Sequence, residues 1–383
     1  MTKAELPVPS DEALRQSAAL VAKIRSEIER AGGWIDFARY MELALYEPGL
    51  GYYSAGSQKI GTAGDFITAP ELSRSFGRAV ALTLDAELAT LGANDVIELG
   101  AGSGALAAQL LDTFALLGRE VRYWILEPSA DLRQRQQRAL EPFAGKVAWL
   151  DRLPEEMSLE AVVVANEVLD ALPVSRFAIE DGEPKALGVV ADAKGFGLRT
   201  ARAAPELTAA VRTIERALQR ALPDGYRSEI CLTLPAWFAS LAAVLKRGSL
   251  LFADYGLVRS DYYHEQRAAG TLACHYRHRA HDDPFLYPGL QDITAWVDFS
   301  ACADAASVVG LDVAGFTTQG QYLLSLLAAL PPELAGDLKS PREQSAMKTL
   351  ILPGEMGERF KVLLLRKGVS GRELSGKDFR HRL

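Results

Sequence analysis

The stretch VIELGAGSGAL, residues 96–106, constrains the fold more than any other part of the chain. Its first half is typical of a buried strand, its glycines of a tight turn, and the residues after them of a helix. Amides at the start of a helix attract anions, and glycines let a ligand approach the main chain closely. We therefore expect a nucleotide-type cofactor at this turn.

Two glycine patterns fit the turn equally well. Gly100, Gly102 and Ala105 satisfy the dinucleotide pattern G-x-G-x-x-G/A, whereas Gly100, Gly102 and Gly104 satisfy the methyltransferase pattern G-x-G-x-G. Glu98 favours the second pattern, because a carboxylate suits an ammonium and a sulfonium and is poorly placed beside a pyrophosphate. The residues predicted here to bind S-adenosyl-L-methionine are Glu98, Gly100, Ala101, Gly102, Ser103 and Gly104.

From residue 95 onward, apolar segments alternate with helical stretches; the apolar segments are DVIEL, VRYWILE, KVAWL, AVVVANE and SLLFADYG. This alternation predicts an α/β fold with a mostly parallel sheet and helices on both faces. Ligands of such sheets bind at the carboxyl ends of the strands. The acids that end these segments are therefore candidate site residues: Glu98, Glu127, Glu167 and Asp254.

The rest of the chain surrounds this core. Periodicity predicts a helix over 11–30, whose apolar face is Leu14, Ala18, Val21, Ile24 and Ile28, and a second helix over 34–46. Residues 175–203 are typical of antiparallel strands joined by DG and KG turns. We expect a helical, cofactor-covering segment over 1–90 and a core over 91–383 with insertions at about 175–245 and 261–300. An apolar helix over 320–334 fits packing inside the fold or across a homodimer equally well.

Further cofactor contacts are expected at the second and third strands. Glu127 can accept both ribose hydroxyls, as it could in either enzyme class, and Pro128 follows it. Asp151 can accept from the adenine amine or serve as a surface turn acid. These residues indicate a nucleoside without deciding between the two classes.

The segment ANEVLDALPV, residues 165–174, carries the predicted chemistry. Asn166 and Glu167 end the fourth strand, and Asp170 shares their face if a helical turn follows, which Pro173 limits. Two carboxylates beside a transferable methyl group suit a guanidinium acceptor, whose fork they hold and whose proton they draw off. We predict that Glu167 and Asp170 are catalytic and that Asn166 contacts the cofactor. In the alternative interpretation, Asp170 only pairs locally.

Two other segments have structural explanations beside functional ones. In ITAPELS, residues 67–73, Thr68 and Glu71 form a capping-box pattern. In GTLACHYRHRAHDD, the spacing of His275, His278 and His281 would give a loose metal-like face on a helix. No cysteine lies beside them and arginines are interleaved, so we predict no metal and a polar loop over the substrate cleft.

Composition excludes several classes of protein. With 383 residues, 49% of them hydrophobic, the chain is globular, and its net charge of -7 argues against a general nucleic-acid binder. The three cysteines contain no CxxC, so neither a disulfide framework nor a zinc site is indicated. No targeting signal and no run of roughly 18 apolar residues is visible. We expect a bacterial-type cytoplasmic protein.

The order of motifs is similar to that of the MidA family of S-adenosylmethionine-dependent methyltransferases. The resemblance covers roughly residues 32–367 and rests on GYYS, IGTAGDFITAPELSRSFG, IELGAGSGAL, ANEVLDALPV, ADYG, GTLACHYRHRAH, PGLQDITAWVDFS and GEMGERFKVLLL. The family's mitochondrial member is a complex I assembly factor that symmetrically dimethylates an arginine of the 49-kDa subunit. The resemblance implies a class I (Rossmann-like) methyltransferase core with an added helical amino-terminal part and an inserted small lobe.

For this chain, the resemblance implies a protein substrate, which could be a complex I subunit. It places Thr68 and Pro70 beside the cofactor and Glu71 beside the cofactor or the cleft. Asp254, Tyr255 and His278 complete the predicted cleft. Where the family often has Pro and Arg, this chain has Ala101 and Ser103, so any contact of that arginine is missing.

Three alternatives stay open at this point. Gly100, Gly102, Ala105 and Glu127 also fit an NAD-dependent oxidoreductase. A methyltransferase could act on a small molecule or on a different protein, since no residue identifies the acceptor directly. A non-catalytic assembly module would keep the fold and bind a partner through the insertions.

Overall fold

The computed structural model describes residues 6–55, 67–154 and 159–383. The helices in these ranges are α1 (Asp11–Arg30), α2 (Phe37–Tyr46), α3 (Ala69–Leu72), α4 (Arg74–Leu91), α5 (Ala105–Leu116), α6 (Ala130–Ala139), α7 (Pro205–Leu218), α8 (Leu234–Val244), α9 (Arg259–Tyr262), α10 (Phe299–Val308), α11 (Gln319–Ala328) and α12 (Pro341–Ile351). The strands are β1 (Asp95–Leu99), β2 (Arg122–Leu126), β3 (Val147–Leu150), β4 (Leu159–Asn166), β5 (Ser175–Glu180), β6 (Glu183–Asp192), β7 (Gly195–Arg202), β8 (Arg227–Ile230), β9 (Leu245–Leu257), β10 (Ala273–Tyr276), β11 (Arg279–His281), β12 (Asp292–Thr294), β13 (Val297–Asp298), β14 (Asp312–Thr318) and β15 (Phe360–Lys367).

Contacts divide the chain into two units, each made of separate segments. Unit 1 is formed by the described parts of Met1–Phe66, Ala171–Thr233 and Arg259–Trp296. Unit 2 is formed by the described parts of Ile67–Asp170, Leu234–Val258 and Val297–Leu383. Helix α4 thus groups with the sheet that follows it, and α8 belongs to unit 2. The predicted division at residue 90 remains a proposal about domains.

Unit 2 contains the predicted sheet, in the order β14-β15-β9-β4-β1-β2-β3, with β13 paired to β9. Strands β3, β2, β1, β4 and β9 run parallel, whereas β15 is antiparallel to both β9 and β14. The order reverses at β1, which pairs with β2 on one side and β4 on the other. The loops after β1 and β4 therefore flank the switch point, where ligands of such sheets bind.

Both faces of this sheet are covered by helices. Leu251 and Ala253 of β9 belong to a core that also includes residues of α4, α5 and α11. Phe252, which lies between them and points to the other face, packs against Trp237 and Phe238 of α8. Burial on both sides explains why the central strands are continuously apolar. The predicted α/β fold with a mostly parallel sheet is confirmed.

The carboxyl-terminal apolar helix is α11, which is shorter than the predicted span of 320–334. Tyr322, Leu323 and Leu326 are buried in the core of unit 2. Leu324 on the opposite side is 51% exposed. The homodimer stays a prediction. No helix among the described residues is long and apolar enough to cross a bilayer.

Unit 1 contains the segments predicted as insertions. Strands β7-β6-β5-β8 form an antiparallel sheet, and β11-β10-β12 form a smaller one. The turn between β5 and β6 has positive φ at Asp181 (54°) and Gly182 (72°), which matches the twist of a two-residue hairpin. The predicted antiparallel strands over 175–203 are therefore observed.

Helix α1 also belongs to unit 1, and its buried face differs from the predicted one. The buried residues are Ser17, Leu20, Ile24 and Ile28. Leu14 is 38% exposed, and Ala18 is exposed as well. A serine occupies the buried stripe because its hydroxyl donates to the carbonyl oxygen of Pro288 at 2.9 Å. Apolar periodicity cannot detect such a position.

Candidate active site

The glycine loop, residues 100–104, connects β1 to α5 and takes a conformation that glycine alone adopts easily. Gly100, Gly102 and Gly104 have φ of 62°, 55° and 85°. A Cβ at Gly100 would also lie 3.1 Å from Cγ2 of Val168. The Gly100 amide donates to the carbonyl oxygen of Leu126 at 3.1 Å, which fixes the loop to β2.

The start of α5 is suited to an anion. Gly104 is the N-cap residue and supplies no side-chain acceptor, and no acidic residue occurs in the first turn. The amide of Ala105 donates to Ser103 Oγ at 3.3 Å. The helix dipole and the remaining amides favour a carboxylate or a phosphate at this position.

Glu98 lies at the end of β1 and is 2% exposed. Its Oε2 accepts a hydrogen bond from the Tyr123 hydroxyl at 2.8 Å. Burial raises the pKa of the Glu98 carboxyl to about 8; the Tyr123 hydrogen bond opposes this rise and the charge of Glu127 adds to it. A buried carboxyl of this kind fits an ammonium ligand, because a positive charge offsets the cost of ionising it.

Glu127 follows β2 and is held by two donors. Its Oε1 accepts from the Ser129 amide at 2.9 Å, and its Oε2 accepts from Gln136 Nε2 at 3.0 Å. Burial raises the pKa of the Glu127 carboxyl, and these two hydrogen bonds oppose the rise. Gln136 is fully buried in α6 and was not among the predicted site residues.

Pro128 and Asp151 line a cavity of about 230 Å³ together with Arg133. Asp151 Oδ1 pairs with Arg133 Nη2 at 2.7 Å, and its side chain is 87% exposed. Arg133 also donates to the carbonyl oxygen of Leu150 at 3.1 Å. The proposed adenine contact would therefore be made by an acid that is already ion-paired.

Helix α3 lies next to the glycine loop. Ser103 Oγ donates to Glu71 Oε1, and Gln109 Nε2 donates to the carbonyl oxygen of Pro70 at 2.7 Å. A Cβ at Gly77 would overlap the Gln109 side chain, so glycine on α4 makes room for this contact. Two residues of α5 and its loop thus hold α3 in place. Residues 60–66 of the preceding motif lie outside the described part of the chain.

The predicted capping box is wrong. Thr68 precedes α3 but makes no capping hydrogen bond with its side chain. The following helix, α4, begins at Arg74, and its N-cap is Ser73, whose side chain accepts from the Ser75 amide at 3.1 Å. Glu71 is turned toward Ser103 instead, which removes it from any box.

The acid loop, residues 167–170, follows β4. Glu167 has a left-handed φ of 55°, which is unusual for a residue with a side chain. Its Oε1 accepts from Asn166 Nδ2 at 3.0 Å and from the Ala69 amide at 3.4 Å. The acid loop therefore reaches both β4 and α3 through one carboxylate.

Asp170 was predicted to share the face of Asn166 and Glu167 if a helical turn followed β4. No helix occurs in the described residues between β4 and β5. Asp254 Oδ2 accepts from the amides of Val168 at 3.0 Å, Leu169 at 2.8 Å and Asp170 at 3.4 Å. These amides converge on one carboxylate, and Pro173 ends the segment. Asp170 is nevertheless buried close to Asp254 and Glu167, whose charges interact.

Asp254 is buried and faces the backbone of the acid loop. Burial raises its pKa well above the usual value, and the charges of Asp170 and Glu167 raise it further. Asp254 Oδ1 accepts from the amide of Tyr255 at 2.9 Å. The Tyr255 ring packs on Phe360, with 5.5 Å between ring centroids. Asp254 thus holds the backbone of the acid loop, and the cleft roles of Asp254 and Tyr255 stay predictions.

His278 lies in unit 1, outside the residues gathered above. The histidine segment forms strands β10 and β11 of a hairpin rather than a helix, with positive φ at Arg277 (46°) and His278 (60°). No group of three or more potential metal-binding side chains occurs among the described residues. The cleft role of His278 stays a prediction.

Comparisons with known proteins agree with this geometry. A family described as "putative S-adenosyl-L-methionine-dependent methyltransferase" matches residues 79–317. The mitochondrial protein arginine methyltransferase NDUFAF7 homologue of Drosophila melanogaster is 30% identical over 95% of this chain and 89% of its own. The human mitochondrial protein arginine methyltransferase NDUFAF7 is 27% identical over 90% and 82%, respectively.

A solved structure matches nearly the whole chain. A Burkholderia thailandensis protein bound to S-adenosyl-homocysteine has a TM-score of 0.91 and 43% sequence identity, covering 99% of this chain and 100% of its own. The glycine loop, the buried Glu98 and the acid-free start of α5 fit the same cofactor. These findings favour S-adenosyl-L-methionine over a nicotinamide cofactor. The chain belongs to the MidA-like family of S-adenosyl-L-methionine-dependent methyltransferases.

Proposed function

We propose that this methyltransferase is a protein-arginine N-methyltransferase that uses Glu167 and Asp170 to hold the guanidinium of its substrate. The supporting observation is the acid loop. It carries two carboxylates and approaches the glycine loop, since a Cβ at Gly100 would contact Val168. A cation is the acceptor that such a loop suits best.

On the cofactor side, Glu98 would pair with the ammonium and the amides at the start of α5 with the carboxylate. Glu127 would accept the ribose hydroxyls, and Asp151 would serve the adenine. Asn166, Thr68 and Pro70 lie on segments that touch the glycine loop or the acid loop. When bound, the cofactor supplies an electrophilic methyl group on a sulfonium.

The acid loop would contribute orientation and proton transfer. A guanidinium has a pKa above about 12 and therefore keeps its proton at neutral pH. Its nitrogen is a poor nucleophile until a base accepts that proton. Glu167 and Asp170 would hold the fork by parallel hydrogen bonds, and Glu167 would accept the proton as the N–C bond forms and the bond from the methyl carbon to sulfur breaks, leaving a neutral thioether. Asp170 is buried and Glu167 half-buried, and exclusion of water by the bound substrate would strengthen both effects.

The proposed acceptor is an arginine of a complex I 49-kDa-type subunit, and the proposed product is symmetric dimethylarginine. The arginine methyltransferase names of the relatives support the residue type, and the MidA resemblance supports the subunit. The test incubates the enzyme with methyl-labelled cofactor and purified subunit. Mass spectrometry should then find label on one arginine, as dimethylarginine.

Two controls separate the levels of this proposal. Binding of S-adenosyl-homocysteine, measured by calorimetry, would confirm that the cofactor site of the preparation is folded and able to bind. Absence of label with such a preparation would contradict the subunit as substrate, and label on lysine or on a small molecule would contradict arginine. In cells, loss of function in Glu167→Gln supports catalysis, whereas full function would favour an assembly module.

A further inference from the structure

We infer that Gln136 is a positioning residue that sets both the ribose carboxylate and the glycine loop for cofactor binding. The inference rests on the proposed cofactor role of Glu127. It assigns a function to a side chain that no glycine or acid motif includes. Gln136 would act through two residues of the proposed cofactor site, Gly102 and Glu127, which its side chain contacts.

Gln136 is fully buried, and both the nitrogen and the oxygen of its side-chain amide make hydrogen bonds. Nε2 donates to Gly102 O at 3.1 Å and to Glu127 Oε2 at 3.0 Å. Oε1 accepts from Trp149 Nε1 at 3.0 Å. Trp149 can only donate, so it determines which end of the amide faces Glu127. One side chain therefore joins the ends of β1, β2 and β3.

This arrangement prepares Glu127 for a diol. Each carboxylate oxygen has about two acceptor positions. Within the described residues, Oε1 receives one hydrogen bond from Ser129 and Oε2 one from Gln136. The carboxylate is thereby fixed in orientation while each oxygen can still accept from one hydroxyl. The hydrogen bond to Gly102 O fixes the position of the glycine loop relative to the Glu127 carboxylate.

Only a neutral donor of this length performs both tasks. A glutamate at position 136 would place a second carboxylate beside Glu127 and face the Gly102 carbonyl with an acceptor. Two adjacent carboxylates cannot both ionise easily, so they would share a proton at low pH. Among charged or titratable groups, Arg133 acts on Glu127, and both Tyr123 and Glu127 act on Glu98.

The test compares the dissociation constants of S-adenosyl-homocysteine for the wild type and Gln136→Glu at about pH 6 and about pH 8.5. At about pH 8.5, Gln136→Glu should bind at least tenfold more weakly than wild type. At about pH 6, its affinity should approach that of wild type measured at the same pH. Gln136→Met should lose about tenfold at both values. Gln344→Glu, the same change at an exposed position of α12, should match wild type.

Several outcomes would overturn the inference. Wild-type affinity in both Gln136 variants contradicts it, and so does a pH-independent loss in Gln136→Glu. If Gln136→Glu does not fold, Trp149→Phe keeps an aromatic ring at the core but removes the hydrogen bond to Gln136 Oε1, and should weaken binding about threefold. Unchanged affinity would then count against the inference. If Glu127→Gln binds like wild type, the cofactor role of Glu127 fails instead.

Discussion

The glycine loop and the acid loop lie side by side at the switch point, but different forces hold them. The glycine loop uses residues that adopt left-handed backbone angles without strain, and a neutral amide, Gln136, holds it. The acid loop forces Glu167 into the same region and is held by a buried carboxylate, Asp254. Binding a cofactor thus relies on a relaxed frame, whereas the proposed chemistry relies on a strained, charged one.

The largest expected effect separates the two loops. Glu167→Gln keeps the side-chain oxygen that accepts from Asn166 but cannot take a proton, so kcat should fall about a thousandfold. The dissociation constant of S-adenosyl-homocysteine should stay within about twofold. Steady-state kinetics and calorimetry measure the two quantities. Glu373→Gln, at an exposed position, is the matched control; nearly full activity of Glu167→Gln would sink the catalytic assignment.

The next prediction concerns the anchor of the acid loop. Asp254→Ala leaves three converging amides without their acceptor, so the free energy of unfolding should fall by about 3 kcal/mol. Asp254→Asn keeps an acceptor oxygen and should lose less. Urea denaturation measures both changes, and Asp312→Ala, at an exposed position, should alter stability by less than about 0.5 kcal/mol. Equal stability of all three variants would show that Asp254 does not hold the loop.

A smaller effect tests the cofactor side. Glu98 has a pKa of about 8 in the free protein, so it is mostly protonated at neutral pH. An ammonium ligand requires the ionised form, and binding would release a proton below pH 8. Affinity for S-adenosyl-homocysteine should therefore weaken about fiftyfold from pH 8 to pH 6. Glu98→Gln should abolish this dependence, and a flat wild-type profile would contradict the ammonium assignment.

Much of the fold could be predicted because its signals are local. Apolar strands alternating with helices predicted the parallel sheet, and turn residues predicted the β5–β6 hairpin. The failures occurred where tertiary contacts decide. Ser17 can be buried because the carbonyl oxygen of Pro288 accepts a hydrogen bond from its hydroxyl. Glu71 accepts a hydrogen bond from Ser103 and forms no capping box. Neither partner is near in sequence.

The acids of the site could be predicted because each one ends an apolar segment that is typical of a strand. Their arrangement in space could not be predicted. Asp254 was expected in the cleft, and its three contacts with acid-loop amides depend on a loop whose path no periodicity describes. Gln136 left a weak signal that could have been used. It lies four residues after Leu132, the other buried residue of α6, on an otherwise polar helix.

The distances along the chain between these partners bear on the order of folding. Gly102 and Gln136 are 34 residues apart, whereas Val168 must wait for Asp254, 86 residues later. During synthesis from the amino terminus, the cofactor frame can close while the acid loop is still without its anchor. Closing the longer loop is slower as well as later, since its chain entropy is larger. We expect a nascent chain halted after α7 to contain residues 167–170 without their folded conformation, because Asp254 has not yet been synthesised. The ability to react would then be the last property that this protein acquires.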